Sequence, residues 1–252
     1  MGRRARPACL AEAQSLFDLI DTPAGVRPMV HGVEGHRTRM RTRLLTAGPD
    51  ALADHEMLEM VLFLALPRRD TKPISRLLLD RFGSFAATIS AEPAELLAVD
   101  GLGEAGAAAL KLIKGASLRL LRDAVREQPV MADWGRLIDY LIGVLSHERV
   151  EQARVLFLDA KNRLLADEIQ GRGTINQTMV YPREIVRRAL ELNATAIILV
   201  HNHPSGDPTA SREDMDMTRN VRRAAEALGI ALHDHIIVAG TRWVSFQKEG
   251  WL

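Results

Sequence analysis

Two imidazoles and one carboxylate stand at fixed offsets in the run HNHPSGDPTASRED: His201 and His203, then Asp214 after a loop punctuated by Pro204, Gly206 and Pro208. Immediately upstream, Ala194 to Val200 reads ATAIILV. That apolar, β-branched stretch has the signature of a buried strand. If strand geometry persists through His203, residues two apart face the same side, so both rings can reach one ion. Ser211 opens an amphipathic helix, and Asp214 in its first turn can swing back over the strand end. Two His, one Asp and an open fourth position are the donor set of a catalytic zinc site rather than a structural one.

Simpler explanations compete for the same residues. Ser211 followed three residues later by an acid is a variant of the capping box, which accounts for both as helix-start chemistry. His-x-His also recurs downstream in His233, Asp234 and His235. A cap, however, requires nothing of two histidines placed just before it, and the conjunction favours metal. Other hydrolytic chemistries lack their parts. HEXXH and the P-C-x-x-C half of a deaminase signature are absent. The lone Cys9 leaves no basis for a thiol protease, and one His-His-Asp site lacks the carboxylate cluster of two-metal nucleases.

The string H-x-H-P-x(6)-S-x-x-D, from His201 to Asp214, resembles the JAMM motif of MPN-domain metallopeptidases, whose zinc sits on two His, one Asp and a water. The longer stretches VYPREIVRRALELNATAIILVHNHPSGDP and TRNVRRAAEALGIALHDHIIV resemble the bacterial RadC family, and the likeness extends from about residue 36 to 252. Asn202 stands where eukaryotic JAMM members carry Ser or Thr, as RadC chains are expected to show. The resemblance implies Zn2+ on His201, His203 and Asp214, lowering the pKa of a water toward ~7. It also implies a glutamate base on an earlier strand, matched to Glu151 at the head of EQARVLFLD. Glu168 and Glu184 are rivals, with simpler explanations as a solvent-facing strand residue and a first-turn acid favoured by the helix dipole. Ser211 would stabilise the oxyanion, its hydroxyl accepting as a cap and donating to substrate. Asp234 and His235 either support the centre or are core polar groups satisfied by backbone.

These residues need a scaffold, and the hydrophobic pattern supplies one. Leu137 to Leu145 reads as a helix, Ala153 to Asp159 as a strand, and Lys161, Asn162 and Arg163 as the turn of a hairpin. Pro182 suits the first position of a helix running to Leu192. A helix from Arg212 to Leu228 and strands near Ile230 to Val238 and Trp243 to Phe246 complete a mixed α/β sandwich. Its order resembles the MPN fold, itself similar in outline to the zinc deaminases. This zinc domain is expected over residues 130–252, beyond a linker near Glu127 to Asp133.

Residues 36–127 read as a small all-helical domain. Leu52, Met57, Leu58, Val61, Leu62 and Leu66 recur at helical intervals before Pro67, and a second helix spans Pro73 to Phe82, closed by Gly83. Gly101 and Gly103 then separate two helical segments in a pattern resembling a helix-hairpin-helix, which grips DNA backbones without reading bases. Its helix N-terminus offers amides to a phosphate. Glu104 opposes that contact, Gly106 replaces the Lys that related hairpins often carry, and Lys111 and Lys114, further along the helix, partly offset the loss. Such hairpins also serve only as packing elements. Residues 1–35 are expected to form a mobile arm with one weak amphipathic stretch from Leu10 to Ile20. Arg37, Arg39, Arg41 and Arg43 form a basic cluster that suits phosphate or a solvated face.

Composition sets the remaining limits. With 252 residues, 47% of them hydrophobic, the chain can bury a substantial core. Lys+Arg 33 against Asp+Glu 32 leaves no global field to draw it to nucleic acid or membrane. No apolar run approaches the ~20 residues that span a bilayer. Cys9 has no internal partner, and Arg3, Arg4 and Arg6 open no signal peptide, so a cytoplasmic location is expected. Nothing marks an oligomeric interface. The combined expectation is a zinc-dependent hydrolase of an amide or isopeptide in a peptide or protein, with a link to DNA repair. The alternative is a DNA-associated adaptor whose zinc is structural.

Overall fold

The computed structural model describes residues 33–173 and 180–252. They fall into two units, one ending at Ala51 and the other running from Leu52 to Leu252. In the first, helix α1 (Val33–Ala47) carries Arg37, Arg39, Arg41 and Arg43. The hydrophobic pattern did not announce this helix, because VEGHRTRMRTRLLTA has no apolar stripe. Its Arg, Met and Leu residues are nevertheless good helix formers. The expected arm, with Leu10 to Ile20 and Cys9, lies almost wholly outside the described residues.

The second unit begins with α2 (Asp54–Ala65), α3 (Lys72–Phe82), α4 (Phe85–Ser90), α5 (Pro93–Leu97) and α6 (Gly103–Arg126). Leu58, Leu62, Ile74, Leu78, Leu96, Leu102 and Leu110 bury into one apolar cluster that joins them. Gly83 ends α3 with φ of 86°, a left-handed conformation that glycine adopts without a Cβ penalty, and its amide donates to Leu79 O at 2.7 Å. Ser84 then caps α4 by accepting from the Ala87 amide at 3.1 Å.

After α7 (Trp134–Leu145) come β1 (Gln152–Leu158), β2 (Leu164–Arg172), α8 (Pro182–Glu191), β3 (Ala196–Asn202), α9 (Arg212–Glu226), β4 (Ala231–Ala239) and β5 (Arg242–Ser245). The strands form one five-stranded sheet in the order β2-β1-β3-β4-β5. Only β3 and β4 run parallel, joined through α9, and the other neighbours are antiparallel. Element positions agree with the periodicity reading to within a few residues, as expected for frayed ends.

Alternation along the strands divides the core. Leu156, Leu158, Ile198, Val200, Ile236 and Val238 meet Leu137, Ile138, Leu141 and Leu145 of α7 on one face. Val155, Phe157, Ile197 and Leu199 meet Ile185, Val186 and Ala189 of α8 and Val221 and Ala225 of α9 on the other. A polar bridge interrupts the α7 face: Arg154 Nε donates to Asp167 Oδ1 at 2.9 Å, and Tyr140 Oη donates to Asp167 Oδ2 at 2.5 Å. Burial, and then the neighbouring Asp167 charge, pushes the Tyr140 phenol up, so it stays a donor. Among the described residues no helix is long and apolar enough to cross a membrane.

Phe157 is fully buried at the centre of the α8/α9 face. Phe157→Ala should cost ~3–5 kcal/mol through lost burial and the cavity left behind. Urea unfolding checks this, with the midpoint falling at unchanged slope.

Candidate metal centre

The centre forms where the α8/α9 face of the sheet reaches the C-terminal end of β3. His201 lies in β3, and the His203 amide still donates to Val238 O of β4 at 2.8 Å, so the extended geometry continues through both histidines. Both rings therefore project to the face that α9 covers. On α9 the inward stripe is Asp214, Thr218, Val221 and Ala225, apolar over the core and polar over the strand end. The helical repeat that packs α9 thus also aims its first-turn carboxylate at the histidines.

The three ligand side chains converge. His201 Nε2 lies 2.9 Å from His203 Nε2 and 3.1 Å from Asp214 Oδ1, and His203 Nε2 lies 3.5 Å from Asp214 Oδ2. A tetrahedral zinc site with bonds of about 2.0–2.1 Å has ligand-to-ligand edges of about 3.3 Å, so these separations suit a single ion. Among the described residues this is the one cluster of three such side chains that could hold a metal. His201 is 1% exposed at its side chain, Asp214 9% and His203 17%, so the centre opens on the His203 side.

Electrostatics agree with the donor set. Burial alone would raise the Asp214 carboxyl, but its contacts with the His201 and His203 rings and with the Ser211 hydroxyl outweigh it and hold the group well below the usual carboxylate range. The bond to Asp214 raises His203 above its ordinary value despite burial, and the Asp207 carbonyl and the Glu151 charge add to that. His203 Nδ1 donates to Asp207 O at 2.8 Å, which turns Nε2 inward. The carbonyl of Gly206 in the same loop accepts from Arg242 of β5.

The capping box is present as well. Ser211 Oγ accepts from the Asp214 amide at 3.1 Å and donates to Asp214 Oδ2 at 2.7 Å, while the Ser211 amide donates to Oδ2 at 2.8 Å. The single hydroxyl proton is thus directed at the carboxylate, and must rotate away to meet a substrate oxygen.

The three candidate bases occupy different surroundings. Glu168 accepts both Nε and Nη2 of Arg188, with contacts of 2.6 to 3.0 Å, and Glu184 pairs with Arg187 at 3.1 Å and Arg183 at 3.3 Å on exposed α8. Both charges are thus committed to ion pairs. Glu168 is a partly solvent-facing strand residue, 31% exposed at its side chain. Glu151 stands half-buried just before β1. Ala153 pairs with His201, so two steps along the antiparallel register bring Glu151 level with His203, on the same face.

Asn202, between the two histidines, faces the other way. Its Nδ2 donates to Glu148 O at 3.3 Å and Val150 O at 3.2 Å, and its Oδ1 accepts the Gln152 amide at 2.9 Å. One buried amide therefore ties the backbone on both sides of Glu151 to the ligand strand. The Ser/Thr comparison marked this position in the sequence, but not what it holds. Asp234 is a core polar group as the simpler reading has it, accepting from Ser245 Oγ at 2.5 Å and from the Gln247 and His235 amides at 2.9 and 2.7 Å. His235 departs from that reading: its Nε2 lies 2.8 Å from His201 Nδ1 and its Nδ1 2.6 Å from Thr218 Oγ1.

The helical hairpin has the expected turn, with Gly101 at φ 82° and Gly103 at φ 62°. Its two lysines are engaged within the protein. Lys111 Nζ donates to the carbonyls of Ile89, Ser90 and Ala91 at 3.3, 3.3 and 3.0 Å, and Lys114 Nζ donates to Gly143 O at 2.6 Å. Both ammonium groups clamp neighbouring helices, since α6 runs past the end of α4 and along α7. At the turn itself Arg69 Nη1 donates to Gly101 O at 2.9 Å.

Comparison with known proteins places this geometry in context. Residues 131–251 match the family described as RadC-like JAB domain. A UPF0758 protein of Rhodobacter capsulatus is 54% identical over 213 residues, 84% of this chain and 100% of that relative. Another, of Ruegeria pomeroyi, is 50% identical over 220 residues, 87% of this chain and 98% of its own length.

Two outcomes follow. Chelated protein returned to Zn2+ should bind one ion per chain by elemental analysis, and His201→Ala or Asp214→Asn should bind none at the same concentration. Lys114→Met should lower stability by ~1–3 kcal/mol by orphaning the Gly143 carbonyl and leave retention on DNA-cellulose unchanged. A matching loss of retention would return Lys114 to a phosphate-binding role.

Proposed function

This chain belongs to the RadC family of JAB-domain proteins, and on that premise we propose that it is a zinc-dependent hydrolase of an amide or isopeptide bond in a peptide or protein. The observation that carries this reading is the convergence of His201, His203 and Asp214 within 3.5 Å beside one partly exposed ligand. When bound, zinc supplies a Lewis acid that lowers the pKa of water at its open position to about 7. His201 and His203 would hold it by Nε2, and Asp214 by a carboxylate oxygen.

The remaining chemistry belongs to the chain. The Glu151 carboxylate accepts the proton of the attacking water and returns it to the departing nitrogen. General acid–base assistance of this kind is worth about 10²–10⁴ in rate. Its influence on the His203 charge supports the assignment. Asn202 supports it too, by tying the segment that carries Glu151 to the ligand strand. Ser211 Oγ turns its proton from Asp214 to the carbonyl oxygen of the substrate as negative charge develops there, while its lone pair keeps the Asp214 amide capped. The exposed side of His203 is where substrate enters.

DNA is a second partner, through the amides at the Gly101–Gly103 turn and the neighbouring Arg69, with the zinc domain acting in the cytoplasm near repair sites. A non-catalytic adaptor with the same zinc would share that partner and turn nothing over.

The test uses zinc-loaded full-length protein against a proteome-derived peptide library supplemented with peptides joined through lysine isopeptide bonds. Wild type should cleave a subset. Glu151→Gln should bind equal zinc, melt at the same temperature and lose about 10²–10⁴ in rate, whereas His203→Ala loses zinc and activity together. Full activity in Glu151→Gln removes the base assignment, and a loaded wild type that cleaves nothing supports the adaptor. Ser211→Ala should cost about 10²–10³ in kcat with only ~1 kcal/mol of stability from the lost cap.

A further inference from the structure

We propose that Thr218 and His235 are positioning residues that lock His201 into the tautomer with a bare Nε2. The inference rests on the metal-centre reading above and assigns a role to two groups that touch neither substrate nor ion.

The proton positions are forced one after another. Thr218 Oγ1 lies 2.6 Å from the Asp214 main-chain oxygen. Two oxygens at that separation need a proton between them, the carbonyl has none, and Thr218 carries one. Thr218 must therefore accept in its other contact, at 2.6 Å from His235 Nδ1, which makes that nitrogen an N–H. The His235 ring is fully buried, packed at 4.5 Å and a tilt of 40° against Phe246, and its two nitrogens meet only His201 and Thr218 among the described residues. A ring this buried, with no acidic group at either nitrogen to balance a charge, is neutral, so its Nε2 is bare. A bare Nε2 at 2.8 Å from His201 Nδ1 can only accept, so His201 carries its proton on Nδ1. His201 Nε2 is then left with its lone pair aimed at the centre.

The reversed chain would place an N–H at His201 Nε2, the atom the ion must meet. Solvated imidazole populates both tautomers. Here the choice is made in advance by a route that begins at the backbone of Asp214, so one ligand helps set the protonation of another. His203 has its own acceptor for the Nδ1 proton, the Asp207 carbonyl at 2.8 Å. The arrangement explains why a fully buried histidine is placed on β4 opposite Leu199, where an apolar side chain would otherwise pack.

The test is nitrogen NMR of the imidazoles in metal-free full-length protein, together with the Zn2+ dissociation constant by chelator competition. Wild-type His201 should show a protonated Nδ1 and a bare Nε2 without metal. Thr218→Val, close in shape, should let His201 populate both tautomers and weaken Zn2+ binding, and Thr218→Ser should restore both readouts. His235→Phe should weaken binding by about 10–100-fold, the usual cost of removing such a supporting partner. A wild-type His201 protonated on Nε2 overturns the proposal, as does a Thr218→Val protein with unchanged tautomer and affinity. A wild type that shows the Nδ1–H form yet takes up no Zn2+ supports the relay and contradicts the metal-centre reading instead.

Discussion

Two imidazole nitrogens and a carboxylate brought into contacts of 2.9 to 3.5 Å repel unless something positive lies among them, and this constraint governs the architecture around the end of β3. The chain meets it with rigid parts. Both histidines continue one strand, the carboxylate sits in the first turn of a helix docked by Val221 and Ala225, and each ligand has a further partner holding it from behind. Such preorganisation places the cost of gathering the ligands on the folding of the sheet rather than on the binding of an ion.

The topology explains why the centre stands where it does. β3 and β4 are parallel, so their C-terminal ends lie together, and α9 must cross back over the face between them. Loops at the carboxyl ends of parallel strands are a general location for ligand sites. Because β1 is antiparallel to β3, its start lies at that same end, which brings Glu151 toward His203 without any loop reaching across. Asn202 turns this register into a fixed distance, since its buried amide bonds the backbone on either side of Glu151.

Local signals in the chain carried much of this. The apolar run before His201, Pro182 at a helix start and the turn at Asn162 all point to elements that are found. Two explanations that competed for Ser211 and Asp214 turn out to be compatible: Oδ2 completes the cap while Oδ1 faces His201. What could not be read depends on contacts between residues far apart in sequence. His235 meets His201 only through the β3–β4 register, and Glu168 meets Arg188 only because α8 lies against that edge of the sheet. Lys111 and Lys114 look like surface charge along a helix, yet they cap carbonyls of α4 and α7. Helix α1 lacks the apolar stripe on which periodicity depends.

X-ray absorption at the zinc edge, on loaded full-length protein, addresses the central claim most directly. Two imidazole nitrogens and one carboxylate oxygen at about 2.0–2.1 Å, with one light atom from solvent completing four, is the result this account predicts. A fourth ligand from the protein, or no ordered zinc shell, would contradict it.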